Sequence, residues 1–156
     1  MNTRNVGRSE VIMLVSVVVV IVSLFLPWYA LDTPETIVEA AIGTQKGPNV
    51  ELTAWETFPL LRFLLILSCV PPLILTYIVL RGYQLSWERG EVTSIIAMIA
   101  IVLILFNGLL DKPGTPSQGV SLQIGWFIGL AGELGILFGS LLRQGEKGRR
   151  RKPPGV

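Results

Sequence analysis

Four long runs of apolar residues divide the chain, each set off from the next by polar and turn-forming positions. The first runs from about Val11 to Trp28. The second, Leu60 to Leu80, holds Arg62 as its one charge near the start. The third, Val92 to Leu110, holds none, and the fourth, Ser121 to Leu142, holds Glu133 alone. A helix rising ~1.5 Å per residue needs roughly 20 residues to cross the hydrocarbon of a bilayer, and about 18 apolar residues mark a candidate. Every run approaches or exceeds that length. The β-branched stretch Val17 to Val22 favours a strand in water, but in lipid the backbone must satisfy its own hydrogen bonds, so a helix is predicted.

The pattern predicts an all-α membrane protein: a four-transmembrane-helix bundle with both termini cytoplasmic and one larger outer loop. Its spans cover about 11–28, 60–80, 92–110 and 121–142, within a domain of residues 1–142. A basic cytoplasmic tail, 143–156, is predicted to be disordered. Composition agrees, since 51% of the 156 residues are hydrophobic and the mean hydropathy is +0.60. So short a chain cannot bury that much apolar surface in a water-soluble core. A cleaved signal peptide is the alternative for the first run. Its apolar core is longer than the usual ~7–15 residues, and Trp28 and Ala30 make a poor small-x-small cleavage site. Ile66-Leu67-Ser68-Cys69 looks like a lipoprotein box, but lies inside the second run.

Charge gives the direction. Arg4 and Arg8 precede the first run, Arg81 and Arg89 flank the connection between the second and third, and Arg143, Lys147, Arg149, Arg150, Arg151 and Lys152 follow the fourth. Ten of the thirteen basic residues therefore fall on one side, leaving Lys46, Arg62 and Lys112 on the other. Basic loops stay in the cytoplasm during insertion. Trp28, Tyr29, Trp55 and Trp126 are then expected at the outer interface, with Tyr83 and Trp87 at the inner one, in a plasma membrane of bacterial type.

The outer loop, about Leu31 to Phe58, is acidic, with Asp32, Glu35, Glu39, Glu51 and Glu56 against Lys46. Asp32-Thr-Pro-Glu35 reads as a capped helix start and Gly43 as its stop. Lys46-Gly-Pro-Asn49 is turn chemistry, and Thr53-Ala-Trp-Glu56 a second capping box, leading into the second span. The loop is either a lid on the bundle or a recognition surface. The tail residues Arg149, Arg150, Arg151 and Lys152 are a topology anchor or a contact for anionic headgroups, each charge contributing about 1 kcal/mol near such a surface. Nucleic acid is not an expected partner, because no aromatic residues interleave with these charges.

Several chemistries are excluded. Without histidine there is no His-ligated metal and no Ser-His or Cys-His catalysis, and the lone Cys69 forms no intramolecular disulfide. No phosphate-binding glycine loop precedes a lysine. No catalytic residues, cofactor or metal are expected, and the protein is read as a non-enzyme.

The fourth run carries the most information. At 100° per residue Ser121, Gly125, Gly129, Gly132, Gly135 and Gly139 fall on one face, a small-residue stripe on which another helix can pack closely. That partner is either another span of this chain or a second copy in a homo-oligomer or larger membrane complex. Glu133 sits at the edge of the stripe near mid-span, where an ionised carboxylate is expensive; it is protonated, paired or facing water. Pro71 and Pro72 strip the carbonyls of Leu67 and Ser68 of their helical donors at matching depth, and Ser16 lies at a comparable level. Glu133, Ser16, Ser68, Pro71 and Pro72 thus form a candidate intramembrane site. It is either a structural hydrogen bond to a freed carbonyl or a proton or cation site of the kind transporters build from broken helices. Asn107 is expected to cap the third span with Gly108 or to bond a neighbouring span, and Arg62 to reach Glu56 or another loop acid.

Leu26-Pro-Trp-Tyr29, followed by Thr53-Ala-Trp-Glu56 and a glycine-rich fourth span, resembles a group of small bacterial four-span membrane proteins of unknown function. The resemblance implies the same four-span plan and brings no catalytic or binding residues. The plan is also similar to claudin-like tetraspans, whose paired loop cysteines this chain lacks. The function expected from these readings is that of an accessory or scaffold component associating through the glycine face. The alternative is a small proton- or cation-coupled transporter or channel subunit centred on Glu133.

Overall fold

The computed structural model describes residues 7–81 and 90–150, with side chains described as far as residue 145. It is mostly helical and adds a small sheet at one end of the helices. Its elements run α1 (Arg8–Ser23), β1 (Pro27–Leu31), β2 (Ile37–Ala40), β3 (Gly43–Lys46), β4 (Val50–Thr53), α2 (Ala54–Thr57), α3 (Pro59–Arg81), α4 (Glu91–Leu105), β5 (Val120–Leu122) and α5 (Ile124–Arg150). A π turn, Phe106–Leu110, continues α4. Three helices are long and apolar enough to cross a membrane: Pro59–Arg81, Glu91–Leu110 and Ile124–Gly145. Their flanks expose Leu60, Phe63, Leu67, Ile74, Ile95, Ile99, Val102, Phe127 and Phe138, a surface that soluble monomers rarely show. These apolar helices are compatible with a membrane protein.

The first apolar run departs from the expected 11–28 helix. Within it α1 stops at Ser23, and Pro27 opens a strand. Proline has no N–H to donate and drives the residue before it toward extended backbone, so the run is split at Leu26-Pro27. At 16 residues, α1 is shorter than the three long helices. Its start is held by Glu10, whose Oε2 accepts the Gly7 N–H at 2.8 Å and the Ser9 hydroxyl at 3.0 Å.

The expected all-α class is corrected by the loop regions. No helix starts at Asp32; residues 37–46 form a β2–β3 hairpin closed by Ala41-Ile42, with Ala40 opposite Gly43. Gly43 is therefore a turn residue at φ 113° rather than a helix stop. The Lys46–Asn49 segment does turn, with Gly47 at φ 113° and Asn49 at φ 63°. Thr53 caps α2 as its sequence suggests: Glu56 N–H donates to Thr53 Oγ1 at 3.2 Å and Glu56 Oε2 accepts the Thr53 N–H at 3.0 Å.

Strands β4, β1 and β5 make a three-stranded antiparallel sheet with β1 in the middle. Each strand is the stem of a helix: β1 follows α1, β4 runs into α2 and α3, and β5 runs into α5. Between Pro27 and Tyr29 the β1–β4 register slips, leaving Trp28 as a bulged residue. A bulge re-aims a side chain. Trp28 and Tyr29 are neighbours, yet both are fully buried, which a regular strand packed on one face would not allow.

The four main helices pack in a ring, α1 beside α5, α5 beside α4, α4 beside α3 and α3 beside α1. Thus α3 and α5 face each other across the diagonal. The expected tail also changes, because α5 continues as helix through Arg150 rather than ending at 142.

Candidate functional site

Along α5 the glycines are seats for α1. A Cβ on Gly125 would lie 2.6 Å from the Pro27 carbonyl oxygen and 2.5 Å from Trp28 Cδ1. On Gly129 it would meet Trp28 Cζ2 at 2.7 Å, on Gly132 Val20 Cγ2 at 2.7 Å and Val20 N at 3.1 Å, and on Gly139 Met13 Cγ at 2.6 Å and Ser9 O at 3.1 Å. Gly135 lies against Ser16 Oγ. Backbone atoms recur among these neighbours, so a side chain cannot be admitted by a rotamer change alone. The stripe is thus occupied within the chain, by α1 and by Pro27 and Trp28 of β1. Ser121 is the exception: it belongs to β5, not to the helix, and its hydroxyl donates to Asp32 Oδ1 at 3.1 Å.

The adjoining face of α5 points Glu133 across the diagonal. Its residue is 0% exposed, and Ser68 Oγ of α3 lies 2.5 Å from Oε1. The same Ser68 Oγ is 2.7 Å from the Leu65 carbonyl oxygen one turn back. Cys69 Sγ also donates to Leu65 O, at 3.3 Å. Glu133 Oε2 is buried with no hydrogen-bond partner. Of the five residues that the sequence grouped, the structure joins Glu133 and Ser68 by a hydrogen bond. Pro72 is buried and Pro71 half-buried in a helix that runs unbroken past them. The carboxyl meets the Ser68 hydroxyl rather than a carbonyl freed by the prolines, and Ser16 sits over Gly135 instead of joining the site. Depth along a span is readable from sequence, whereas the direction a residue faces around the helix depends on the partner.

The far end of the α1–α5 seam holds a feature that sequence reasoning missed. Glu10 of α1, 1% exposed, is ion-paired with Arg143 of α5. The available signal was a lone acid at the start of one apolar run and a base at the end of an antiparallel one. Sequence reasoning also missed the roles of three aromatics. Trp28 Nε1 donates to Ser23 O at 2.7 Å, and Trp126 Nε1 donates to Ile104 O at 3.1 Å beside Gly108. Tyr29 Oη donates to the Asn107 carbonyl at 3.2 Å, and burial pushes its hydroxyl above the ordinary tyrosine range. These three lie in the interior rather than in a lipid-facing belt. Trp55 is half-buried and stacks on Phe25 at 5.4 Å.

Two smaller expectations change. The Arg62 guanidinium donates to the Trp55 carbonyl at 3.0 Å and lies over the Trp55 ring at 4.8 Å, in place of pairing with Glu56. The Asn107 side chain donates to Leu103 O of its own helix at 2.8 Å, while its carbonyl receives Tyr29. Of the basic cluster, Arg149 and Arg150 lie on the last turn of α5, and Arg151 and Lys152 fall outside the described residues, as do Tyr83 and Trp87.

A cleft of about 480 Å³ opens at the sheet end between Val38, Phe58, Pro59 and Pro113, away from Glu133. Among the described residues no group of three His, Cys, Asp or Glu side chains is placed to hold a metal. No family model, curated protein or solved structure matches this chain.

Proposed function

We propose that this chain is a non-enzymatic multi-pass membrane protein, crossing four times with both termini cytoplasmic, that serves as an accessory or scaffold component of the plasma membrane. The observation that carries the reading is the α1–α5 seam. From Gly139 against Met13 to Gly129 against Ser23, α1 runs antiparallel to α5, and Trp28 of β1 extends the seam to Gly125. Helix α1 therefore occupies the same depth as a helix that is itself long and apolar enough to span. Val11, Val15, Val18 and Val22 form its exposed apolar flank, as Phe127, Leu134, Phe138 and Leu141 do on α5. The strand cap then stands on the outer side, and Arg149, Arg150, Arg151 and Lys152 meet anionic headgroups inside.

The scaffold role is supported by how the polar groups are spent. The glycine stripe packs α1, the Glu10–Arg143 pair closes one end and the β1-centred sheet ties the other. Transport centred on Glu133 needs a wet path to the carboxyl. A residue with no exposed surface favours architecture instead.

Cysteine labelling tests the topology. With Cys69→Ser as background, Thr44→Cys is expected to react with a membrane-impermeant maleimide on intact cells and Gly145→Cys only after lysis. Both positions are exposed. Labelling of both, or of neither before lysis, overturns the four-crossing arrangement. Purified protein in vesicles is expected to add no proton or sodium flux. A flux that Glu133→Gln abolishes would replace the scaffold reading with transport.

A further inference from the structure

The hydrogen bonds around Glu133 fix where a proton must sit. Ser68 has one hydroxyl hydrogen and two close oxygens, Leu65 O at 2.7 Å and Glu133 Oε1 at 2.5 Å. A carbonyl oxygen has no hydrogen to give, so the 2.7 Å bond takes the serine's. The 2.5 Å bond then needs a hydrogen from the carboxyl, making Glu133 the donor and Ser68 the acceptor. Its length suits an O–H···O bond at the short end of the usual range.

The surroundings point the same way. A carboxylate presents about four lone-pair sites, and burying one without cations or donors is costly. Oε2 has no partner. On the helices around it, the charged residues whose side chains are described stand away from mid-span: Arg8 and Glu10 on α1, Arg62 and Arg81 on α3, Glu91 on α4, and Arg143 about three turns beyond Glu133 on α5. The other titratable group facing Glu133 is the Cys69 thiol, which offers no positive charge. The diagonal placement matters as well, because the ring otherwise holds α3 and α5 apart with little direct packing between them.

We propose that Glu133 is a proton-binding site that latches α5 to α3: the bound proton makes the hydrogen bond to Ser68, Ser68 hands its own to Leu65 O, and deprotonation releases the latch. The balance is that of a single acid dissociation, Glu133–COOH giving a carboxylate and a proton to solvent. The released carboxylate can take only the Ser68 hydrogen, at the cost of the bond to Leu65 O, and its Oε2 still has no donor, so water must enter between the helices to solvate it. The site stores a proton in the closed molecule and conducts none.

Infrared difference spectroscopy of the full chain in lipid vesicles tests the proton directly. At neutral pH the wild type is expected to show a neutral-carboxyl C=O band that shifts in D2O and is missing in Glu133→Gln. Ser68→Ala is expected to keep that band and move it to higher frequency. This arm reads the wild-type carboxyl even if Glu133→Gln does not fold. Absence of the band, or a band that Ser68→Ala leaves unmoved, overturns the proposal. A band that sodium chloride abolishes at fixed pH and potassium chloride does not would make the ligand a metal cation and overturn it too. Hydrogen exchange tests the latch. As one proton is lost on opening, exchange of α3 amides in excess of the intrinsic rate is expected to rise about tenfold per pH unit above neutrality. In Glu133→Gln, which keeps a donor, it is expected to stay flat. Equal slopes in the two proteins overturn the latch.

Discussion

On two adjoining faces α5 meets the rest of the protein on opposite terms. Toward α1 it offers glycines, and the partner backbone comes so close that Val20 N would stand 3.1 Å from an added Cβ. Toward α3 it offers one carboxyl, joined to one hydroxyl by a 2.5 Å bond. The first contact is distributed: dispersion along the helix from Gly125 to Gly139, in which each atom contributes little. The second is concentrated in a single hydrogen bond with a vacant oxygen beside it. A distributed seam has one good arrangement and resists change, whereas a single polar contact has two states set by one proton. Rigidity and adjustability are thus assigned to different faces of the same helix.

The largest effect is expected from filling the seam. Gly129→Leu with Gly132→Leu forces side chains against Trp28 and the Val20 backbone, at about 1–3 kcal/mol or more for each overpacked site. Loss of a monodisperse folded species in detergent, read by size exclusion and circular dichroism, is the expected result. Wild-type folding would show that α1 does not dock here. Next comes the ion pair that closes the seam. Arg143→Met leaves Glu10 buried without its cation, a loss of about 3–5 kcal/mol for fully buried pairs. Adding Glu10→Leu to it is expected to recover most of the thermal midpoint, since both charges are then gone. A double variant as unstable as the single one would separate the pair from the seam's stability. The smallest effect belongs to the polar face. Ser68→Ala removes one hydrogen bond and is expected to lower stability by about 1–3 kcal/mol, with α1 docking unchanged. A loss as large as that of the glycine variants would erase the contrast between the two faces.

What could be read in the sequence follows the same division. The glycine face was legible because its information is periodic: five glycines at helical spacing identify a surface without reference to what covers it. Glu133 was legible as a buried acid for the same reason, one charge in an apolar run. Its partner was less so, and Ser16 was grouped with it, because equal depth says nothing of which way a side chain turns. The sheet was the least visible. Leu26-Pro27 breaks an apolar run that reads alike for helix and strand, and β5 is only Val120–Leu122, a segment too short to alternate. Asp32-Thr-Pro-Glu35 matches a capping pattern locally. Thr36 N–H instead donates to Thr33 O in a turn, and β2 then pairs with β3. Local propensity lost there to a tertiary pairing partner.

The sheet also constrains the order in which the molecule can be completed. Its central strand β1 emerges with the first helix, and β4 arrives before the next, so these two can pair while the second half of the chain is still being made. The remaining edge of β1 waits for β5, which is joined directly to the last helix, with Gln123 N–H donating to Trp28 O at 2.8 Å at the junction. Closure of that edge and seating of Gly125 beneath Trp28 are one event, because only Ile124 separates Gln123 from Gly125. A complete three-stranded sheet therefore reports that the final helix has reached its place, because β5 and α5 are joined directly.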